Sequence, residues 1–260
     1  MWPFNVIDTR RKYTWKPDLP DHRDFMYAIT PPTKLPTSID LRKICPLVYD
    51  QGNLGSCTSN ALAGAVQTLE NIDKLSPVMM SRLFIYYNER SLEGTVKQDS
   101  GAQLRDGIKT LATNGVCPET DWPYIISKFK SKPNTKSYQD GLQHKITSYS
   151  RLTTSTDMKT CLASGFPFVF GFTVYQSFES TQVANTGIVP MPSKNEQVLG
   201  GHAVMACGFD DSKNWMIVRN SWGSSWGAAG YFFLPYSYIS NTNLATDFWT
   251  IRKGNLMLNK

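Results

Sequence analysis

The 260-residue chain is short of several things that would each have announced a class. It has no long apolar run. The longest mostly apolar stretch, Phe166 to Tyr175, spans about ten residues, roughly half of what a bilayer-crossing helix needs, and reads as a buried strand. The first residues lack an apolar h-region, so no secretory leader is expected, and no Asn-x-Ser/Thr sequon occurs. Five cysteines (45, 57, 117, 161 and 207) form no C-x-x-C pair, and no histidine stands near them at zinc-finger spacing. A metal site and a disulfide scaffold are both disfavoured. Charge of either sign is modest: 27 Lys and Arg against 21 Asp and Glu give +6. No basic run is interleaved with aromatics, so a nucleic-acid platform is not supported. Histidine is scarcest, with three residues, which leaves few candidates for a general base.

What is present is a globular composition, 41% hydrophobic and 18% charged. Residues 1–37 stand apart. They hold Pro3, Pro17, Pro20, Pro31, Pro32 and Pro36 with no helical or alternating period, which predicts an extended arm. From Ser56 to Leu75 the apolar residues Leu62, Val66, Leu69 and Ile72 recur at helical spacing. Met80–Glu89 and Gln103–Ala112 are two further predicted helices, the second stopped by Asn114-Gly115. Residues 127–150 are polar and read as loop. Short strands are predicted over Phe168–Val174, His202–Phe209, Trp215–Arg219, Tyr231–Leu234 and Phe248–Arg252. Helices first and strands second imply an α+β fold with two segregated lobes. There is no internal repeat.

The chemistry-bearing residues lie at the first helix. The segment Gln51-Gly-Asn-Leu-Gly-Ser-Cys57 runs straight into it, placing Cys57 in or just before the first turn. Free N–H groups and the helix dipole favour a thiolate there, hence a nucleophile with a lowered pKa. A lone cysteine at a helix start is more often a small buried residue, so a base must be found. His22 sits in the polar Asp21-His-Arg-Asp24 stretch and His144 in the polar loop; both read as surface residues. His202 opens a predicted strand in Gly200-Gly-His-Ala-Val, 145 residues after Cys57. A third segment, Arg219-Asn-Ser-Trp-Gly-Ser-Ser-Trp-Gly-Ala-Ala-Gly-Tyr231, follows.

In these three motifs, taken in this order, the chain resembles the papain-like cysteine peptidases. The resemblance covers about Ile39 to Ile251. It implies a papain-like two-lobed fold, a helical lobe beside a β-barrel-like lobe, with the active site in the cleft between them. It implies Cys57 as nucleophile, His202 as its imidazolium partner and proton donor, and Asn220 as the residue that holds the ring. Gln51 and the Cys57 amide would form the oxyanion hole. Trp222 would shield the Asn220–His202 bond, with Trp226 as a wall behind it. Gly101 and Ala102 match the pair along which a substrate backbone lies. Gly171, Gly200 or Gly201, and Ala203 match the main specificity pocket, with Thr246 near its floor. These small uncharged walls predict a bulky apolar residue two places before the cleaved bond. The implied reaction is endopeptidase hydrolysis through a thioester acyl-enzyme, on protein or peptide substrates, without metal or cofactor. An exopeptidase of the same fold, or a binding protein that has lost activity, are the alternatives.

The sequence departs from the family at its disulfides. Leu54, Asp99 and Asn88 stand where cysteines are usual, and Thr58 where a tryptophan is usual. Cys207, five residues beyond His202, should face the other side of its strand, into core. Loss of the staples implies a reducing compartment such as the cytoplasm, or a virion if the source is viral. Residues 1–37 are too short and proline-rich for the family's helical pro-segment. They are expected to form a lid or pro-segment across the cleft, or to pack on the second lobe, with residues 38–260 as the peptidase domain.

Overall fold

A computed structural model describes residues 11–73 and 78–254. Residues 1–10 of the arm, and 74 and 75 of the first predicted helix, lie outside the described part. After a short strand, β1 (Ser38–Asp40), the helical lobe is built from α1 (Cys57–Ile72), α2 (Arg82–Leu92), α3 (Leu104–Thr113) and α4 (Thr135–Gly141). Every residue of α1 from Cys57 to Glu70 is buried. A helix covered all round is a central one, and α1 packs against α2 and α3 on one side and the sheet on the other. Its small residues Ala61, Ala63, Gly64 and Ala65 permit the close approach. Ser81, one residue before α2, caps that helix by accepting a bond from the Phe84 amide, which moves its start two residues past the predicted one.

The second lobe is a sheet of β1, β2 (Ser148–Arg151), β3 (Phe168–Tyr175), β4 (Val198–Asp210), β5 (Trp215–Arg219), β6 (Tyr231–Pro235) and β7 (Ala245–Arg252). Its main path runs β2-β7-β3-β4-β5-β6, all antiparallel. The 13-residue β4 is long enough to serve two partners in turn along one edge. It pairs with β3 as far as Ala206, then with β1 from Gly208. Among the described residues the path ends at β2 and β6 without joining them, so the lobe expected to be barrel-like is an open sheet. Three short helices flank it: α5 (Ser155–Ala163), α6 (Thr181–Thr186) and α7 (Tyr236–Ile239). One hydrophobic core runs through both lobes. The α+β, two-lobed architecture is the expected one.

Residues 127–150, expected as loop, contain α4 and most of β2. The helix is seven residues long and starts from Asn134, whose side chain accepts the Ser137 amide. A helix that short carries too few apolar positions to show a period. His144 is likewise no ordinary surface residue: its Nδ1 bonds Glu70, which also takes the Lys253 ammonium. No helix among the described residues is long and apolar enough to cross a membrane.

Candidate active site

Cys57 is the first residue of α1, and its side chain is fully buried. The sulfur lies against the backbone of Thr58, of Ala203 on β4, and of Trp15 in the arm. His202, next to Ala203, is also fully buried. Its Nε2 donates to Asn220 Oδ1 over 2.8 Å, and the Ser221 amide donates to the same oxygen over 2.9 Å. An oxygen taking two donors fixes the ring: Nε2 carries the hydrogen and Nδ1, which has no bonded partner among the described residues, carries the lone pair. Trp222 stacks on the imidazole with centroids 5.0 Å apart and planes at 26°. Trp226 meets Trp222 edge-on at 4.8 Å. The strand β4, the β5 end and the start of α1 thus bring Cys57, His202, Asn220 and Trp222 into one cluster.

Gln51 joins it from the segment before α1. Its Oε1 accepts from Ser221 Oγ over 2.6 Å and its Nε2 donates to the Leu54 carbonyl over 3.0 Å. One N–H is therefore used locally and the second remains. Ser221 was not singled out in the sequence, yet it orients Asn220 through its amide and Gln51 through its hydroxyl. Its position inside the Asn-Ser-Trp motif was the available signal.

Two family cysteine positions are bridged by other chemistry. Asp99 accepts the Gly55 amide over 3.0 Å, beside Leu54, and also the Tyr86 hydroxyl. A hydrogen bond to a carboxylate ties the two segments where a disulfide was expected to be missing. All five cysteines are free thiols. Thr58, in place of the usual indole, donates to Glu89 over 2.6 Å. Glu89 is completely buried, and burial raises its carboxyl well above the usual range, which favours the neutral acid under the nucleophile's helix.

The cleft is occupied by the arm. Thr14 forms a parallel bridge with Gly201, Trp15 N–H donates to the Gly201 carbonyl over 3.0 Å, and Lys16 N–H to the Ala102 carbonyl over 3.3 Å. A Cβ on Gly101, whose φ is +65°, would come within 1.9 Å of the Thr14 carbonyl oxygen. A Cβ on Gly171 would meet the Trp15 indole at 1.9 Å. Gly101, Ala102, Gly171 and Gly201 are thus together, and Trp15 fills the space beside them. Ala203 is on β4 opposite Gly171, and Thr246 on β7 opposite its other side. Tyr13 lies edge-on to His202 and to Trp222, each at 6.1 Å. Beyond the cleft Asp18 is locked between the lobes. Its own amide donates to Asp247, while its carboxylate accepts from Trp249 Nε1 at 2.8 Å, Arg151 at 3.2 Å and the Arg105 amide at 3.1 Å.

This cover reverses the expected ionisation. A helix start should lower a thiol pKa, but burial pushes Cys57 from its ordinary 9.0 up to about 12. Burial also lowers His202 from 6.5 to about 4, with the Asn220 bond opposing and the Arg11 charge adding to the fall. Dehydration disfavours both charged forms and outweighs the dipole. With the arm in place the pair is neutral.

Comparison with known proteins agrees with this geometry. A family model, papain family cysteine protease, matches residues 35–250. An uncharacterized peptidase C1-like protein of Acanthamoeba polyphaga mimivirus is 44% identical, covering 94% of this chain and 87% of that protein. Chymopapain of Carica papaya is 30% identical over 82% of this chain, which spans 58% of that protein's length. The crystal structure of xylellain, a cysteine protease from Xylella fastidiosa, superposes with a TM-score of 0.86 at 47% identity, covering 93% of this chain and 96% of that one.

Proposed function

This chain belongs to the papain family of cysteine proteases and is a cysteine peptidase, and from that premise we propose that it is an endopeptidase whose cleft is closed by its own N-terminal arm. The carrying observation is the fixed ring of His202, bonded through Nε2 to Asn220 with Nδ1 unbonded among the described residues, next to Ala203, whose backbone lies against the Cys57 sulfur. Once the arm leaves, water and a substrate dipole replace the indole, and the thiol proton passes to Nδ1. The thiolate attacks the substrate carbonyl carbon. The resulting oxyanion takes the second Gln51 N–H and the Cys57 amide; a donor of this kind is worth about 2.7–4 kcal/mol. The C–N bond breaks as the imidazolium returns its proton to the leaving amine. Water, deprotonated by His202, then hydrolyses the thioester. Asn220 holds the ring in plane and Trp222 keeps water off the bond between them.

Four features support the finer reading. Trp15 fills the pocket beside Gly171 and Gly201, which supports a bulky apolar residue two places before the cleaved bond. The arm lies on both sides of Cys57, so its departure opens both ends of the cleft, as an endopeptidase requires. It also runs from the His202–Trp222 side toward the pocket, whereas a substrate runs from the pocket toward His202 and its leaving group. Reversed polarity keeps the arm from being cut. Free thiols throughout support work in a reducing compartment. The test is peptide hydrolysis by the full chain beside Cys57→Ser, with a thiol alkylator as a second probe. Activity and its loss on alkylation should both vanish in Cys57→Ser; hydrolysis surviving that change would overturn the assignment.

A further inference from the structure

Two thiols outside the catalytic cluster meet where β4 changes partner. The strand pairs with β3 up to Ala206 and with β1 from Gly208, so Cys207 stands at the changeover. It is also the extra residue of a bulge: Ala206 is opposite Val218 and Gly208 opposite Ile217, which leaves Cys207 without a partner on β5. A bulge re-aims the side chain that it releases. The Cys207 thiol is fully buried and donates to the Ile217 carbonyl over 3.6 Å. Its own carbonyl accepts the Leu41 amide over 2.8 Å. A one-turn 3-10 helix, Arg42–Ile44, then folds the chain back, and Cys45 Sγ donates to the Leu41 carbonyl over 3.4 Å. Leu41 therefore links both cysteines, and their thiols lie side by side, each altering the other's ionisation.

The surroundings single out Cys45 as the nucleophile of the two. Arg219, at the end of β5, is 2% exposed; its guanidinium donates to the Leu47 carbonyl over 2.5 Å and lies over the Tyr49 ring, 4.4 Å from the centroid. Those partners are uncharged, and its Nε has none among the described residues. A buried cation held by neutral groups favours a thiolate beside it. The Cys207 thiol, with the Arg219 charge, holds Cys45 below the ordinary thiol value against the effect of burial. Burial and the Cys45 thiol hold Cys207 well above it. Cys45 is also partly exposed, whereas Cys207 is buried. A reachable thiol of low pKa beside a second, resolving thiol is the arrangement that disulfide exchange requires. Cys161, by contrast, is fully buried and donates to the Thr250 hydroxyl over 3.2 Å.

We infer that Cys45 and Cys207 are a redox-responsive pair that closes to a disulfide by exchange with a small-molecule disulfide such as oxidised glutathione. The Cys45 thiolate attacks one sulfur of that reagent, whose S–S bond breaks and releases one thiolate. The Cys207 thiol gives up its proton and attacks Cys45 in the resulting mixed disulfide, releasing the second. Two protein thiols are oxidised, and one reagent disulfide is reduced to two thiols. The new bond ties β4 to the base of the segment that carries Gln51, between residues 162 apart in the chain. That segment already meets the Asn220 motif at its far end, where the Gly223 amide donates to Tyr49 and the Gln51 amide to Ser221, each over 2.9 Å. A cross-link closing so long a loop restricts the unfolded chain and so stabilises the fold. In a reducing compartment the pair stays open; on exposure to a disulfide oxidant it closes, a staple at positions other than the family's usual bridges.

The experiment takes the reduced full chain at pH 7 through glutathione buffers of rising oxidised fraction. Free thiols are then blocked and cross-linked peptides identified by mass spectrometry. We expect a Cys45–Cys207 link to form in the folded protein over minutes to hours, with Cys117 and Cys161 left as thiols. Glutathione should enter first at Cys45, at least about tenfold faster than at any other thiol. Cys45→Ser should abolish the link, and Cys207→Ala should trap the mixed disulfide at Cys45. The oxidised wild type should unfold at least about 5 °C above the reduced protein, a gap absent from Cys45→Ser. Should Cys207→Ala fail to fold, the early mixed disulfide on wild-type Cys45 reads the same step. A folded wild type that forms no such link in oxidised glutathione alone overturns the inference. So does a link that appears only after urea has unfolded the chain, or a closure that leaves the unfolding temperature unchanged.

Discussion

Trp15→Ala tests the proposed closure most directly. The indole is 7% exposed and lies against Gly171 and Gly201, so truncation removes most of what anchors the arm's chain in the cleft. Removing a buried Trp side chain costs about 3–5 kcal/mol in comparable packing. At 1.4 kcal/mol per decade, the open fraction should rise by roughly two to three and a half orders of magnitude. The indole N–H has no bonded partner among the described residues, so truncation forfeits no hydrogen bond to them that would enlarge the effect further. The thiol responds in the same direction. Burial holds Cys57 at about 12 against an ordinary 9.0. Each unit is a tenfold change in thiolate at neutral pH, so hydration of the site alone raises the reactive form by up to about a thousandfold, before any help from His202. Alkylation by iodoacetamide at pH 7, with the Cys57 peptide quantified by mass spectrometry, reads this directly. The buried Cys117, Cys161 and Cys207 serve as internal controls. We expect Cys57 modification to accelerate at least a hundredfold while the controls stay unreactive. If a folded Trp15→Ala protein alkylates Cys57 within about threefold of wild type, the arm does not govern access to the nucleophile.

Other outcomes follow from the same contacts. Burial and the nearby Asp247 raise the Asp18 carboxyl from 3.8 to about 6, against the opposing Trp249 bond, the Arg105 amide and the Arg151 charge, with Asp21 and Asp24 also facing the cluster. A raised acid favours the docked arm below about pH 4 and loses that contribution as pH rises through 6; the wild-type to Asp18→Asn ratio of Cys57 alkylation rates should therefore change with pH between 4 and 7, and a flat ratio would refute the latch. Gly171→Ala places a Cβ where the Trp15 ring now lies, so it should raise thiol reactivity and narrow the pocket together, shifting cleavage toward smaller residues two places before the cut in a peptide-library profile. Glu89→Gln should change unfolding free energy in urea by less than about 1 kcal/mol, since a neutral acid gives way to a neutral amide and the Thr58 bond survives; a loss of several kcal/mol would mean that Glu89 is ionised.

The parts legible in the sequence were those written as contiguous motifs or long periods. The stripe of α1 and the aromatic strands marked the two lobes, and three local motifs marked Cys57, His202 and Asn220. The arm was legible only as composition, because nothing local says that Asp18 will meet Asp247 and Trp249, more than 200 residues away in the chain. The opening of the sheet was hidden for a similar reason. Closure depends on whether β6 reaches β2, which strand propensity does not encode. The expected thiolate failed through a tertiary override: the helix start is where the motif placed it, but the arm dries it. Glu89 was missed because a charged residue on a helix reads as a solvated face unless its neighbour is known to be Thr58.

The small residues of the cleft place a limit on how closure and specificity can be separated. Gly101, Gly171 and Gly201 are the positions along which a substrate backbone and its bulky side chain would lie, and the same positions admit Thr14 and Trp15. A side chain added on either wall must disturb both. Changes confined to the arm, such as those at Trp15 or Asp18, disturb one only. The arm need not imitate a substrate in sequence to do this. It runs the opposite way, so the shared feature is the space above the glycines and not the order of side chains. Selection for a wide pocket that accepts bulky substrates therefore carries with it a pocket that the chain's own tryptophan can fill, and the ease of dislodging that tryptophan sets how much of the enzyme is open.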